Sequence, residues 1–233
     1  MQSALTTGLL VCDHVPDKFK SINGTYTDMF ERILPGLNLT PYFVCDNEFP
    51  SSIHNHNAYI CTGSSHSVYE DLPWIKNLSS FTRQAYDQDK KYVGICFGHQ
   101  MIAHALGGKV QKADIGWCIG VHIFNLSGKE DWLEPAEQQF NVLMLCQDQV
   151  VKLPENSRIL ASEDQCKVGM YMVGDHILGL QGRPEFSREY NKALYEFRAD
   201  RISAEKIAIA NENLHKSLDT SIIAKWIKNF IEG

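Results

Sequence analysis

Long apolar runs are missing from this chain of 233 residues. None approaches the roughly 20 residues needed to span a bilayer, which argues against a membrane-spanning helix. The opening stretch MQSALTTGLLVCDHV has no basic n-region, and its apolar run is too short for a signal peptide. That run reads as a first buried strand, and the chain is expected to be cytoplasmic. An excess of positive charge is also absent. The net charge is −6 and the Lys and Arg residues are scattered, so a nucleic-acid partner is not expected. Seven cysteines occur without a single C-x-x-C pair; their odd number and irregular spacing fit neither a disulfide framework nor a zinc knuckle. No H-E-x-x-H or comparable ligand spacing is present, so no metal is expected. Neither G-x-x-x-x-G-K-[ST] nor a post-strand G-x-G-x-x-G occurs, so no nucleotide cofactor is expected. Internal repeats, low-complexity segments and long charge runs are lacking as well.

What is present is an ordinary globular composition, 44% hydrophobic and 21% charged, in a chain long enough to bury a large core without covalent or metal staples. The first half alternates strand-like and helix-like segments: strands at 8–14, 41–47, 57–64 and 91–96, helices at 25–34, 73–88 and 98–106. Such alternation predicts an open, mostly parallel sheet with helices on both faces. The second half holds strand-like runs with short connections, including a hairpin over GMYMV-GD-HILGLQ with a two-residue turn at Gly174-Asp175. This predicts an additional, smaller antiparallel strand set. Helical periodicity returns after 186. The expected organisation is one domain, 1–233, with C-terminal helices 186–233 packed on it. Ile222, Ile223, Trp226, Ile227, Phe230 and Ile231 form the docking stripe of the last helix.

The sharpest local signal is Tyr92-Val93-Gly94-Ile95-Cys96-Phe97-Gly98-His99-Gln100. A hydrophobic strand runs into a cysteine with glycines at −2 and +2, and a helix follows at once. This is the cysteine form of the G-x-S-x-G nucleophile elbow. The glycines make room for a sharp turn. The helix N-terminus is expected to lower the pKa of Cys96 toward the thiolate, and the backbone N–H of Phe97 to face a developing oxyanion. The other cysteines sit in strand-like runs and read as small buried hydrophobes.

The run G-I-C-F-G-H-Q-M-I-A-H-A-L-G-G resembles the active-cysteine signature of the class I, triad-type glutamine amidotransferases. Ile60 to Tyr69 with Pro73-Trp74-Ile75 is similar to the oxyanion segment of that family's stand-alone, GMP-synthase-like branch. Gly116 to Val121, Gln147 to Val150 with Leu153-Pro154, and Gly179 to Phe186 resemble three further family blocks, in the family's order. The resemblance implies a flavodoxin-like amidotransferase fold and a γ-glutamyl thioester chemistry. In it Cys96 is the nucleophile, Glu185 the orienting acid, Gly63 and Phe97 the oxyanion donors, and Gln100 and Ser64 substrate-holding residues. The implied substrate is glutamine or a γ-glutamyl compound. If ammonia is delivered anywhere, the acceptor has to lie on another polypeptide.

One departure bears on the chemistry. Where the family has Gln-x-His-Pro-Glu, this chain has Gln181-Gly182-Arg183-Pro184-Glu185. A guanidinium stays protonated at working pH and cannot relay a proton, and losing a general acid–base costs on the order of 10²–10⁴ in rate. A second usual histidine is replaced by Cys146. Either glutamine hydrolysis is impaired, leaving a homologue that binds a γ-glutamyl ligand or a protein partner, or another group carries the proton. His66, beside the oxyanion segment, is the histidine nearest such a role, though a solvent-facing loop position is the simpler reading. His99 reads as a packing or supporting residue of the elbow helix, His104 as an ordinary surface or core residue, and His176 as a strand-end residue.

Overall fold

The computed structural model describes residues 5–233. Its first half runs β1 (Thr6–Leu10), α1 (Asp17–Asn23), α2 (Tyr26–Ile33), β2 (Asn38–Tyr42), a 3-10 turn (Val44–Asp46), β3 (Ala58–Cys61), α3 (Pro73–Asp87), β4 (Lys91–Ile95) and α4 (Phe97–Ala105). The second half runs β5 (Lys109–Lys112), β6 (Cys118–Leu126), β7 (Gln139–Cys146), β8 (Asp148–Lys152), β9 (Ser157–Ser162), β10 (Met170–Val173), β11 (Ile177–Leu180), α5 (Arg188–Phe197), α6 (Ala204–Asn213) and α7 (Thr220–Glu232).

Nine strands form one sheet in the order β2-β1-β3-β4-β11-β10-β9-β6-β7. The five from β2 to β11 are mutually parallel, and the remaining four continue the sheet antiparallel. The antiparallel set is therefore an extension of the main sheet, while β5 and β8 pair separately as a small second sheet. Among the described residues, no helix is long and apolar enough to cross a membrane.

Alternation along the parallel strands divides the interior in two. Leu9, Val11, Ile60, Val93 and Ile95 face one core, completed by Met29 and Phe30 of α2, Tyr190 of α5, and Trp226 and Phe230 of α7. Their neighbours Leu10, Cys12, Tyr59, Cys61 and Tyr92 face the other, completed by Trp74, Leu78 and Phe81 of α3 and Met101 and Ile102 of α4. A strand buried on both faces reads as a continuous apolar run, which is what the sequence shows here. The expected stripe of α7 is buried at Ile223, Trp226, Ile227, Phe230 and Ile231.

Two local expectations are corrected. The strand expected at 41–47 lies earlier, at 38–42, and the chain then coils into the 3-10 turn. Asp46 N–H donates to Phe43 O (2.9 Å), Cys45 N–H to Val11 O (3.4 Å), and Asn47 closes the turn in the left-handed region (φ 65°). The hairpin connection has three residues, Gly174 to His176, because Val173 pairs with Ile177. Gly174 (φ 56°) anchors it by donating to Asn156 O (3.0 Å).

Candidate active site

The site is built at the carboxyl ends of the parallel strands, where open α/β sheets place their ligand crevice. β4 ends at Ile95 and α4 begins at Phe97, leaving Cys96 alone in the turn with φ 53° and ψ −98°. A non-glycine residue held in so sparsely populated a region costs on the order of 1–3 kcal/mol, which surrounding structure has to offset. Here Cys96 N–H donates to Leu180 O of β11 (2.8 Å), Gln100 N–H to Cys96 O (3.0 Å), and Gly98 N–H to Thr62 O after β3 (3.2 Å). The flanking glycines are required sterically. A Cβ at Gly94 would collide with the backbone of Gly98, and one at Gly98 with the carbonyl of Cys61.

Cys96 is 4% exposed and borders a cavity of about 180 Å³ shared with Ser64, His66, Gln100, Cys146 and Asp148. Lys112, Arg198 and Arg201 contribute positive charge to its lining. Gln100 ties the wall together, its amide nitrogen donating to Asp148 O (2.7 Å) and Gln181 Oε1 (3.2 Å). Both Asp148 carboxylate oxygens are held, by Ser67 Oγ (2.5 Å) and Tyr69 O–H (3.1 Å).

Arg183 lies next to Cys96, buried with Glu185 beneath the surface (3% and 1% exposed). Its Nε donates to Glu185 Oε1 at 2.6 Å and its Nη2 to the Tyr26 hydroxyl at 3.0 Å. The guanidinium also stacks over the Phe186 ring, 4.0 Å from its centroid. It occupies the volume above Gly63, where any side chain would strike it. Tyr26 is delivered to this pair by a capping box at the start of α2: Thr25 Oγ1 accepts from Asp28 N–H (3.3 Å), and Asp28 Oδ2 accepts from Thr25 N–H (2.7 Å).

The electrostatics differ from the sequence expectation at Cys96. Burial pushes its thiol above the ordinary value; the positive charge and N–H of Arg183 and the backbone N–H of Phe97 pull it down, and Glu185 pushes it up again. Desolvation outweighs the opposing groups, so the shift is upward where the sequence led to the expectation of a downward one. Burial would lower the Arg183 pKa, but Glu185, Tyr26 and Cys96 hold it well above the usual value. Burial raises the Glu185 carboxyl, opposed by Arg183. Glu185 Oε2 is buried without a hydrogen-bond partner, an incomplete network beside the thiol.

The sequence-derived residues thus converge. Cys96, Ser64 and Gln100 line one cavity; Phe97 N–H faces the sulfur; Gly63 touches Arg183, which pairs with Glu185. Cys146 shares the cavity wall with Cys96 and stands opposite Cys118 in the β6–β7 register. Its thiol is pushed well up, first by its hydrogen bond to Cys118 and then by burial, while that bond brings the Cys118 thiol down to about 7.

The histidines separate clearly. His99 is wholly buried with its ring edge-on to Tyr171 (4.8 Å), and burial lowers its pKa to about 3, so it is neutral and packs. His176 sits at the opposite strand ends, stacked on Tyr86. His66 lines the cavity, its Nδ1 2.8 Å from Glu70 Oε2. Tyr26 and the basic residues of the cavity wall were not read from the sequence, and Asp148 and Phe186 lay within blocks of family resemblance without a role assigned to them. Tyr26 opens α2, Lys112 ends β5, and Arg198 and Arg201 follow α5, so no shared periodicity or motif spacing joins them.

The family model "Glutamine amidotransferase class-I" matches residues 19–199. "Gamma-glutamyl peptidase 4" of Arabidopsis thaliana is 34% identical over 179 residues, covering 73% of this chain and 71% of the relative. A "GMP synthase [glutamine-hydrolyzing]" of Clostridium novyi is 36% identical over 135 residues, 56% of this chain and 25% of that one. The crystal structure of a glutamine amidotransferase from Thermotoga maritima superimposes with a TM-score of 0.77 across 100% of both chains, at 16% identity, a likeness of fold alone.

Proposed function

The chain belongs to the class-I glutamine amidotransferase family, and from that premise we propose that it acts on γ-glutamyl amides through a Cys96 thioester, with a proton-transfer step impaired by Arg183. The observation that carries the reading is the strained Cys96 at the β4–α4 turn, facing a cavity and backed by the Arg183–Glu185 pair. In the proposed reaction the Cys96 sulfur, deprotonated, adds to the γ-carbonyl carbon. Phe97 and Gly63 N–H groups hold the oxyanion. The tetrahedral adduct collapses, the C–N bond breaks and the amine leaves with a proton from solvent water, which also took up the thiol proton, giving the γ-glutamyl thioester. Water then adds, releasing the γ-carboxylic acid and restoring the thiol.

The cavity walls suit such a substrate. An α-carboxylate is attracted by Lys112, Arg198 and Arg201, and an α-ammonium by Asp148. Arg183 supports thiolate formation as a fixed cation but neither accepts the thiol proton nor delivers one to the leaving amine. Slow turnover is expected, and Arg183→His is expected to raise it by about a hundredfold. The assay is release of amine and glutamate from glutamine and from a γ-glutamyl dipeptide, with Cys96→Ser as control. Turnover no greater than that control in both forms of position 183 would contradict hydrolysis.

A second reading rests on a separate observation, the guanidinium filling the volume over Gly63. Under it the pocket binds a γ-glutamyl ligand or a partner without turnover. Ligand-induced thermal stabilisation with no hydrolysis in Arg183→His selects this reading over the first.

A further inference from the structure

The fold brings together three donors that lie 31 and 32 residues apart in the chain and that no spacing rule connects. His14 follows β1, and Cys45 and Asp46 belong to the 3-10 turn after β2. Because β1 and β2 are parallel neighbours, their carboxyl ends present these segments side by side. The Cys45 N–H···O Val11 hydrogen bond (3.4 Å) fastens them. One ring nitrogen of His14, the Cys45 sulfur and one Asp46 oxygen all lie within 4.8 Å of one another.

We propose that His14, Cys45 and Asp46 form a binding site for one divalent metal ion of the zinc class, with water completing a tetrahedral shell. Bond lengths of about 2.3 Å to sulfur and about 2.0 Å to nitrogen and oxygen place donors about 3.3–3.5 Å apart around such an ion. The His14 Nε2–Asp46 Oδ2 separation is now 2.8 Å, so the pair opens by a few tenths of an ångström to admit it. The donor set is mixed N, S and O, which suits zinc or cobalt over calcium or magnesium. A thiolate, a carboxylate and a neutral imidazole carry a combined charge that a divalent ion cancels.

The surroundings agree. The His14 ring is stacked on Phe43 (centroids 5.5 Å, 14° apart), which fixes its orientation. Asp13 does not compete as a ligand, since its two oxygens accept from His14 N–H (2.8 Å) and Ser65 N–H (2.7 Å); it holds the loop from the outer sphere. Entry is open: His14 and Asp46 side chains are 58% and 50% exposed. Cys45 is the one cysteine of the seven that is not buried.

The test is independent of hydrolysis. Co²⁺ is titrated into the Cys96→Ser protein, which removes the active-site thiol from competition, and thiolate-to-cobalt charge-transfer absorption is followed. One Co²⁺ per chain is expected, displaced by Zn²⁺. The band is expected to vanish in a further Cys45→Ser change. Affinity is expected to fall by about tenfold or more with His14→Ala or Asp46→Asn, each variant retaining its circular dichroism spectrum. Absence of a thiolate band, its persistence in Cys45→Ser, or undiminished affinity in either ligand variant would overturn the site.

Discussion

A guanidinium at position 183 alters what Cys96 can do without displacing it. It lowers the thiol pKa against the larger, opposing effect of burial, and it cannot relay the proton it helps to release. Because the net shift of Cys96 is upward, alkylation of its peptide is expected to rise only at pH above the ordinary thiol range. Removing the positive charge in Arg183→Gln is expected to move that profile further up, read by mass-resolved iodoacetamide labelling across pH. A profile centred below the ordinary thiol value in the native protein would contradict the burial argument. The ion pair has a structural side too. Deleting one partner of a buried pair leaves an uncompensated charge and costs about 3–5 kcal/mol, so Arg183→Ala is expected to lose stability of that order in denaturant unfolding. Glu185→Gln with Arg183→Met together is expected to lose less.

At the scale of elements, the β4–α4 turn depends on two close backbone approaches. Gly98 sits against the carbonyl of Cys61 and Gly94 against Gly98 itself. Gly98→Ala is expected to destabilise by about 1–3 kcal/mol and to slow Cys96 labelling by a glutamine-analogue electrophile, whereas Gly107→Ala, strained by its φ of 91° but outside the turn, is expected to destabilise without slowing labelling. This turn was legible in the sequence because its constraint is local, with both glycines and the cysteine lying within five residues. The parallel strands were legible for a related reason, since burial on both faces leaves an apolar run that needs no partner to be recognised. The segment at 41–47 was not. Its apolar residues Phe43 and Val44 suggested continuation of a strand, but hydrogen bonds to Val11 and Phe43 coil the chain instead, and nothing in the local pattern records those partners.

Over the whole molecule, function gathers where sequence reasoning has least purchase. Glu185 and Arg183 were placed by resemblance in one motif, yet the tyrosine that completes their pair comes from α2, 157 residues away in the chain. The basic wall of the cavity is assembled from the last residue of β5 and residues just past α5, joined only by topology. The antiparallel strands were visible individually, but their continuation of the main sheet depends on β9 pairing with both β10 and β6, a long-range register that no single strand encodes. The central claim, that this architecture presents Cys96 to a γ-glutamyl group, is tested most directly by treating the protein with a glutamine-analogue electrophile at mildly alkaline pH and measuring intact and peptide masses. The account predicts one adduct per chain, on Cys96, suppressed by excess glutamine or a γ-glutamyl dipeptide. Adducts confined to other cysteines, or labelling of Cys96 that the competitor does not reduce, would contradict it.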